Sequence, residues 1–192
     1  PLPQTYVPDD NFEAYLEANG MGDGIANNDY VTTANINTIT SLNVSSQTIS
    51  DLTGIEDFTS LTDLNCNTNQ LTVLDITQNI ALTDLDCHFN QLTSLDVSQN
   101  LAFINLACHR NQLTSLDVSQ NLALTYLYCS INQIPSLDVS QNLALTRLGC
   151  GINQLTSLDV SQNLALDYLY CKGNELSTLD VSNNSALTDL SC

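Results

Sequence analysis

Seven cysteines fall at positions 66, 87, 108, 129, 150, 171 and 192, and every interval between them is 21 residues. Asn69, Asn90, Asn111, Asn132, Asn153 and Asn174 keep the same step, as do Asn79, Asn100, Asn121, Asn142, Asn163 and Asn184. A strict period of this length means a stack of near-identical turns, because one such turn can bury its apolar side only against its neighbours. Six full units run from Leu61 to Ala186, and Leu187 to Cys192 opens a seventh. The fold follows from stacking, with Leu, Val and Ile supplying the core, since aromatics are 6% of the 192 residues and tryptophan is absent.

Each unit has two halves with one grammar. LTDLNCNTNQ reads L-x-x-L-x-C-x-x-N-x, and LTVLDITQNIA reads L-x-x-L-x-I-x-x-N-x-x. Apolar residues alternate with period two at Leu64 and Cys66, and again at Leu74 and Ile76, which is strand patterning. Neither half is long enough for an ordinary helix with loops at both ends. The spacing therefore predicts a mainly β solenoid with 21-residue turns, an extended segment on both sides and an asparagine at each corner.

The run L-x-x-L-x-C-x-x-N-x-L resembles the leucine-rich-repeat signature. Its nested ten-plus-eleven form, with LDVS in the second half, is similar to the 21-residue bacterial subclass called IRREKO. The cysteine ladder and the lead-in TYVPDDNFEAYLEANG resemble secreted or surface leucine-rich-repeat proteins of Bacteroidetes. The resemblance implies a secreted or cell-surface location. It also implies that the L-x-C half supplies the concave strands, where such proteins bind. It does not imply a ligand, since one fold serves many roles.

Four segments are expected along the chain. Residues 1–38 form an N-terminal cap, 39–60 a diverged first turn, 61–186 the six repeats and 187–192 a partial one. In the cap, DDNFEAYLEANG reads as a short helix that covers the open end of the stack. Asp10 and Glu13 fit a capping box, Gly20 fits the stop, and Phe12, Tyr15 and Leu16 share a face. GDGIANND, 22–29, hints at a calcium loop, but its spacing misses the EF-hand pattern and a polar turn fits better. The chain opens without an initiator methionine and reaches Cys192 with no cover for its last turn. It is expected to be a trimmed form of a longer chain, and proteins that it resembles often carry a C-terminal sorting domain.

Charge excludes whole classes of partner. There are 21 acids against 3 Lys+Arg, a formal net charge of -18. Nucleic acid binding needs a basic footprint, and anionic membrane surfaces would repel the chain. No apolar run approaches the length needed to insert across a bilayer.

Three ladders read as structure. The cysteines fit a column of small buried residues. Their parallel Cβ directions make disulfides awkward, a straight column wraps a tetrahedral metal poorly, and no CxxC pair exists. The asparagines fit corner hydrogen bonding. Asp75, Asp96, Asp117, Asp138, Asp159 and Asp180 face outward between inward neighbours. Like charges about 5 Å apart repel by nearly 1 kcal/mol even at the dielectric of water, so hydroxyls, backbone N–H groups, water or weakly bound calcium must offset them. A hydrogen-bonded stripe is the simpler solution.

The copies differ mainly on the L-x-C face. Before the leucine stand Asp63, Asp84, Asn105, Tyr126, Arg147, Tyr168 and Asp189; after it stand Asn65, Asp86, Ala107, Tyr128, Gly149, Tyr170 and Ser191. All three basic residues, both histidines, Phe89 and four of the seven tyrosines lie in these columns or the two after the cysteine. Tyr and Arg dominate recognition hot spots. Tyr126, Tyr128, Arg147, Tyr168, Tyr170, Lys172, His109 and Arg110 are therefore the candidate ligand-binding residues. Gly149 between Tyr128 and Tyr170 is expected to leave a gap between two rings. A protein partner fits the resemblance. An acidic or sulfated glycan stacked on tyrosine faces, with Arg147 and Lys172 holding an anion, is a second reading. Tyrosine also forms strands well, so a purely structural spacer is a third. No cofactor motif, nucleophile motif, phosphate loop or paired acid in a cleft is present, so an enzyme is not expected. Asp86, His88 and His109 would make at best a sparse surface metal site.

Overall fold

The computed structural model describes residues 2–192. Its main element is an eight-stranded parallel sheet of β3 (Ser41–Asn43), β4 (Asp63–Asn65), β5 (Asp84–Asp86), β6 (Asn105–Ala107), β7 (Tyr126–Tyr128), β8 (Arg147–Gly149), β9 (Tyr168–Tyr170) and β10 (Asp189–Ser191). The strands lie side by side in chain order, and Leu42, Leu64, Leu85, Leu106, Leu127, Leu148, Leu169 and Leu190 pair in one row. At the start of the sheet β3 pairs with β4, with Leu42 opposite Leu64.

Only the first half of each unit joins a ladder. In the second half, Asp75 Oδ1 accepts the Thr77 N–H at 3.0 Å, and the other five aspartates accept the N–H of Ser98, Ser119, Ser140, Ser161 and Ser182. That bond curls the backbone locally instead of presenting its N–H to the next rung. Ile76, Val97, Val118, Val139 and Val160 still point inward and are buried. The expectation of extended segments on both sides thus resolves into a hydrogen-bonded sheet on one side and a row of aspartate turns on the other.

The two asparagine columns do different work. Asn111 Nδ2 donates to the carbonyls of Cys87 and Cys108, and its Oδ1 accepts the Leu92 N–H. Each such residue ties its own turn to the one before. Asn121 Nδ2 donates to Val97 and Asn100 carbonyls, but its Oδ1 is buried with no donor, as in Asn79, Asn100, Asn142, Asn163 and Asn184. The cysteines from Cys66 to Cys171 are buried free thiols in the core, while Cys192 is exposed.

One turn carries backbone strain. Thr68, Phe89, Arg110, Ile131 and Ile152 all have positive φ, between 53° and 58°, and Gly173 follows in the same column at 76°. The left-handed region costs L-residues about 1–2 kcal/mol. It is held here because the N–H of each bonds the next rung, as from Ile131 to Gly151 at 2.9 Å.

At the N-terminus, β1 (Gln4–Tyr6) pairs antiparallel with β2 (Tyr30–Thr32), and helix α1 (Asp10–Ala18) lies between them in sequence. Phe12 and Leu16 of α1 are buried, and Phe12 stacks on Phe58 at 6.3 Å. The predicted capping box is corrected. The N-cap is Asp9, whose Oδ1 accepts the Asn11 and Phe12 N–H groups at 3.0 Å. Its Oδ2 accepts from Ser50 N–H and Oγ, fastening the helix to the first turn of the stack. Glu13, almost wholly buried, turns away from the cap and accepts the N–H groups of Asn28 and Asp29. Glu17 does the same for Asp23 and Gly24. The segment 22–29 is therefore a polar turn fixed by two helix carboxylates. Gly20, at φ 73°, ends the helix, with Gly20 N–H bonded to Glu17 and Met21 N–H to Leu16. No helix among the described residues is long and apolar enough to cross a membrane.

Candidate recognition face

The outward positions of the sheet are set by strand alternation. In β3 to β9 the central leucine is buried in the core and its two neighbours point out. Tyr126, Arg147 and Tyr168 pair across β7, β8 and β9, and so do Tyr128, Gly149 and Tyr170. The sheet thus brings five of the eight candidate residues and Gly149 onto one patch. The Arg147 guanidinium lies 5.7 Å from the Tyr126 ring centre, and its Nε is 3.7 Å from Asp167 Oδ1. The Tyr128 hydroxyl, then Asp167 and Tyr126, raise its pKa further.

The expected gap at Gly149 is not there. A Cβ on Gly149 would meet Tyr128 Cδ1 at 2.8 Å, and one on Gly151 would run into Tyr170 Cε1. Each ring leans over a glycine and fills the space that a side chain would take. The two glycines are seats for rings, which a reading of columns in sequence has no means of seeing.

The remaining candidates sit past the sheet edge, on the turn after the cysteine. His109 stacks on His88 at 4.3 Å with planes 8° apart, and Arg110 lies 4.5 Å over the Phe89 ring. His88 Nδ1 meets Asp86 Oδ1 at 2.5 Å. Burial, and then the charge of His88, lower the pKa of His109. Lys172 is exposed on the same turn column, three rungs further on. The eight candidates therefore form a strand patch and separate turn positions.

Metal readings find little support in the geometry. Among the described residues, the one group of three donor atoms within 4.8 Å of each other is Asp10, Glu13 and Asp29, on α1 and its loop. Asp86, His88 and His109 do not converge in this way. Nor do the aspartates of the 75–180 column, whose pKa values are held below the usual range by N–H groups of their own turns. The hydrogen bonds of these turns supply the offset that their mutual repulsion requires.

Two features were not read from the sequence. A hollow of about 370 Å³ opens on the sheet face between Asp63, Asp84, Asp86, Ala107, Tyr126 and Tyr128. The signal was available in Ala107, the smallest residue between Asp86 and Tyr128 in its row. Ile80, Leu101, Leu122, Leu143 and Leu164 also form an exposed apolar column at one corner.

No family model matches the chain. Among curated proteins, internalin J of Listeria monocytogenes serotype 4b (strain F2365) is 42% identical over 74 residues, which is 38% of this chain and 8% of that protein. A solved functional domain of internalin J from Listeria monocytogenes, described as including a cysteine ladder, is 38% identical over the whole chain with a TM-score of 0.81. This is a leucine-rich-repeat solenoid resembling the Listeria internalins. The chain spans about half of that solved structure, 48%. A leucine-rich-repeat protein of Leptospira interrogans matches over 82% of the chain and 43% of its own, at 27% identity and a TM-score of 0.77. Internalin C2 of Listeria monocytogenes shares the fold over the full length of both chains, at 20% identity and a TM-score of 0.68. The Bacteroidetes resemblance rests on the sequence alone.

Proposed function

We propose that this chain is a non-catalytic recognition or adhesion module, secreted or held at a bacterial cell surface, that binds a protein through the sheet face of its solenoid. The observation that carries this is where the copies diverge. The Asp-turn side repeats Ser-Asp-Ser almost unchanged, while the paired strands β7 to β9 carry Tyr126, Tyr128, Arg147, Tyr168 and Tyr170. Aromatic and arginine anchors on a rigid sheet lose little conformational freedom on binding. A protein partner is also what the resemblance to leucine-rich-repeat proteins implies, and the 38% identity to the internalin J domain over the whole chain supports that resemblance. Residues 1–38 act as the cap and 39–192 as the recognition solenoid.

The glycan reading asked for open tyrosine faces around Gly149. With Tyr128 and Tyr170 seated on glycines, that arrangement loses its central slot, and a protein surface spread over several rungs fits better.

The test is an array of purified surface proteins beside a panel of acidic polysaccharides, probed with the wild type and a Tyr126→Ala/Tyr168→Ala variant. Both rings are partly exposed, so the fold should survive their truncation. We expect capture of a protein, with affinity falling at least tenfold in the variant, the scale of a hot-spot pair. Protein binding that is indifferent to both tyrosines would refute the site. Polysaccharide binding lost in the variant would favour the glycan reader, and no binding of either kind would favour the spacer.

A further inference from the structure

We propose that the hollow beside the tyrosine patch receives a basic side chain, Arg or Lys, from the partner protein, and so selects partners that present a cation. This rests on the sheet face being the binding face and names the chemistry that the face would recognise.

The hollow is a step between strands of unequal height. Across β5, β6 and β7 the outward rows read Asp84, Asn105, Tyr126 and Asp86, Ala107, Tyr128. Two rings form one wall, short side chains form the floor, and carboxylates form the other wall, continued on β4 by Asp63. Strands are about 4.8 Å apart, so the walls stand about 10 Å from each other. That is room for one guanidinium or ammonium with its alkyl stem.

Asp86 is met by His88, but the charges of Asp63 and Asp84 are not answered from within the chain. The two ion pairs among the described residues join His88 to Asp86 and Arg147 to Asp167, and neither reaches Asp63 or Asp84. Asp84 has only the neutral donors Thr83 and Asn105. Burial first, and then the charges of Asp84 and Asp86, push the Asp63 carboxyl up; the second part is the negative potential of its neighbours. A cation placed there would relieve it.

A metal ion is the wrong cation, because no three of these carboxylates bring donor atoms within 4.8 Å. An organic cation needs no such convergence, and it gains from an aromatic wall within about 6 Å. The chain already uses that contact twice, with Arg147 against Tyr126 and Arg110 over Phe89. Arg147 reaches Tyr126 from β8, on the side away from the hollow.

The test uses the full chain, labelled with ¹⁵N, and acetyl-Gly-Arg-Gly-amide as probe. Its citrulline counterpart has the same shape without the charge. The arginine peptide should shift the amide signals of Ala107, Tyr126 and Tyr128. It should bind at least tenfold more tightly than the citrulline peptide, and salt should weaken it. Asp63→Asn/Asp84→Asn should reduce it to the citrulline level, and Ala107→Leu, which fills the hollow and keeps the acids, should block both peptides. Unchanged dispersion of the remaining amide signals separates these losses from unfolding. Equal binding of the two peptides, or shifts centred on the Asp75 to Asp180 column, would overturn the proposal. If the peptides fail while protein capture still depends on Tyr126 and Tyr168, this inference alone fails. If capture ignores those tyrosines, the sheet-face reading fails first.

Discussion

Taken from pH 9 to pH 10, the protein is expected to lose about 5 kcal/mol of folding stability, an effect larger than most single substitutions produce. The source is the cysteine column. Burial pushes the Cys108 thiol up to about 12 and also raises Cys66, Cys87, Cys129 and Cys150 well above their ordinary value near 9. The folded state therefore keeps protons that the unfolded chain releases. The stabilisation is fully present below pH 9 and is lost as the pH rises toward the folded values. Each of these five thiols contributes about 1 kcal/mol over that first pH unit and slightly more over the next. A domain in the lower or middle part of the usual range of about 5–15 kcal/mol would unfold within one or two units of pH 9. Urea titrations across this range should show the midpoint falling steeply. A Cys87→Ala/Cys108→Ala/Cys129→Ala variant should start less stable but show a shallower pH slope. A midpoint that holds to pH 11 would mean that the thiols are not the buried column described.

The second large effect separates the two asparagine ladders. Asn111→Ala should cost about 3 kcal/mol, and Asn121→Ala no more than about half of that. Both side chains bridge adjacent turns and both are at least nine-tenths buried. Their partners differ. Truncating Asn111 breaks three hydrogen bonds and strands the buried Leu92 N–H, which has no other acceptor. Truncating Asn121 breaks two, and the carbonyls it leaves still accept backbone N–H groups from Asn100 and Phe103. It also removes an Oδ1 that had no donor. Equilibrium denaturation of the two variants decides the matter, and equal losses, or a larger loss at Asn121, would refute this division of labour.

Much of the fold was legible because a period needs no knowledge of contacts. Cysteines and asparagines at a fixed step fix the turn length, and period-two alternation fixes what points inward. What stayed hidden depends on where hydrogen bonds go. Both halves of the unit alternate equally well, yet the Asp-x-Ser/Thr of the second half bends its backbone and forms no ladder. Ile131 and Ile152 look like strand residues but sit at positive φ in a turn, because the next rung demands that geometry. Asp9 and Asp10 are equivalent as letters, and only packing against Ser50 selects Asp9 as the cap. The candidate face was legible as columns that vary. Its internal arrangement was not, since the lean of Tyr128 onto Gly149 and the pairing of Arg147 with Asp167 are properties of rotamers.

The central claim is that the varying strands meet the partner. Hydroxyl-radical footprinting of the chain bound to a captured protein tests it most directly. Tyr126, Tyr128, Tyr168 and Tyr170 should be protected, with Leu101, Leu122 and Leu143 at the exposed corner reacting as in the free chain. Protection of that leucine column with the four tyrosines still reactive would contradict it.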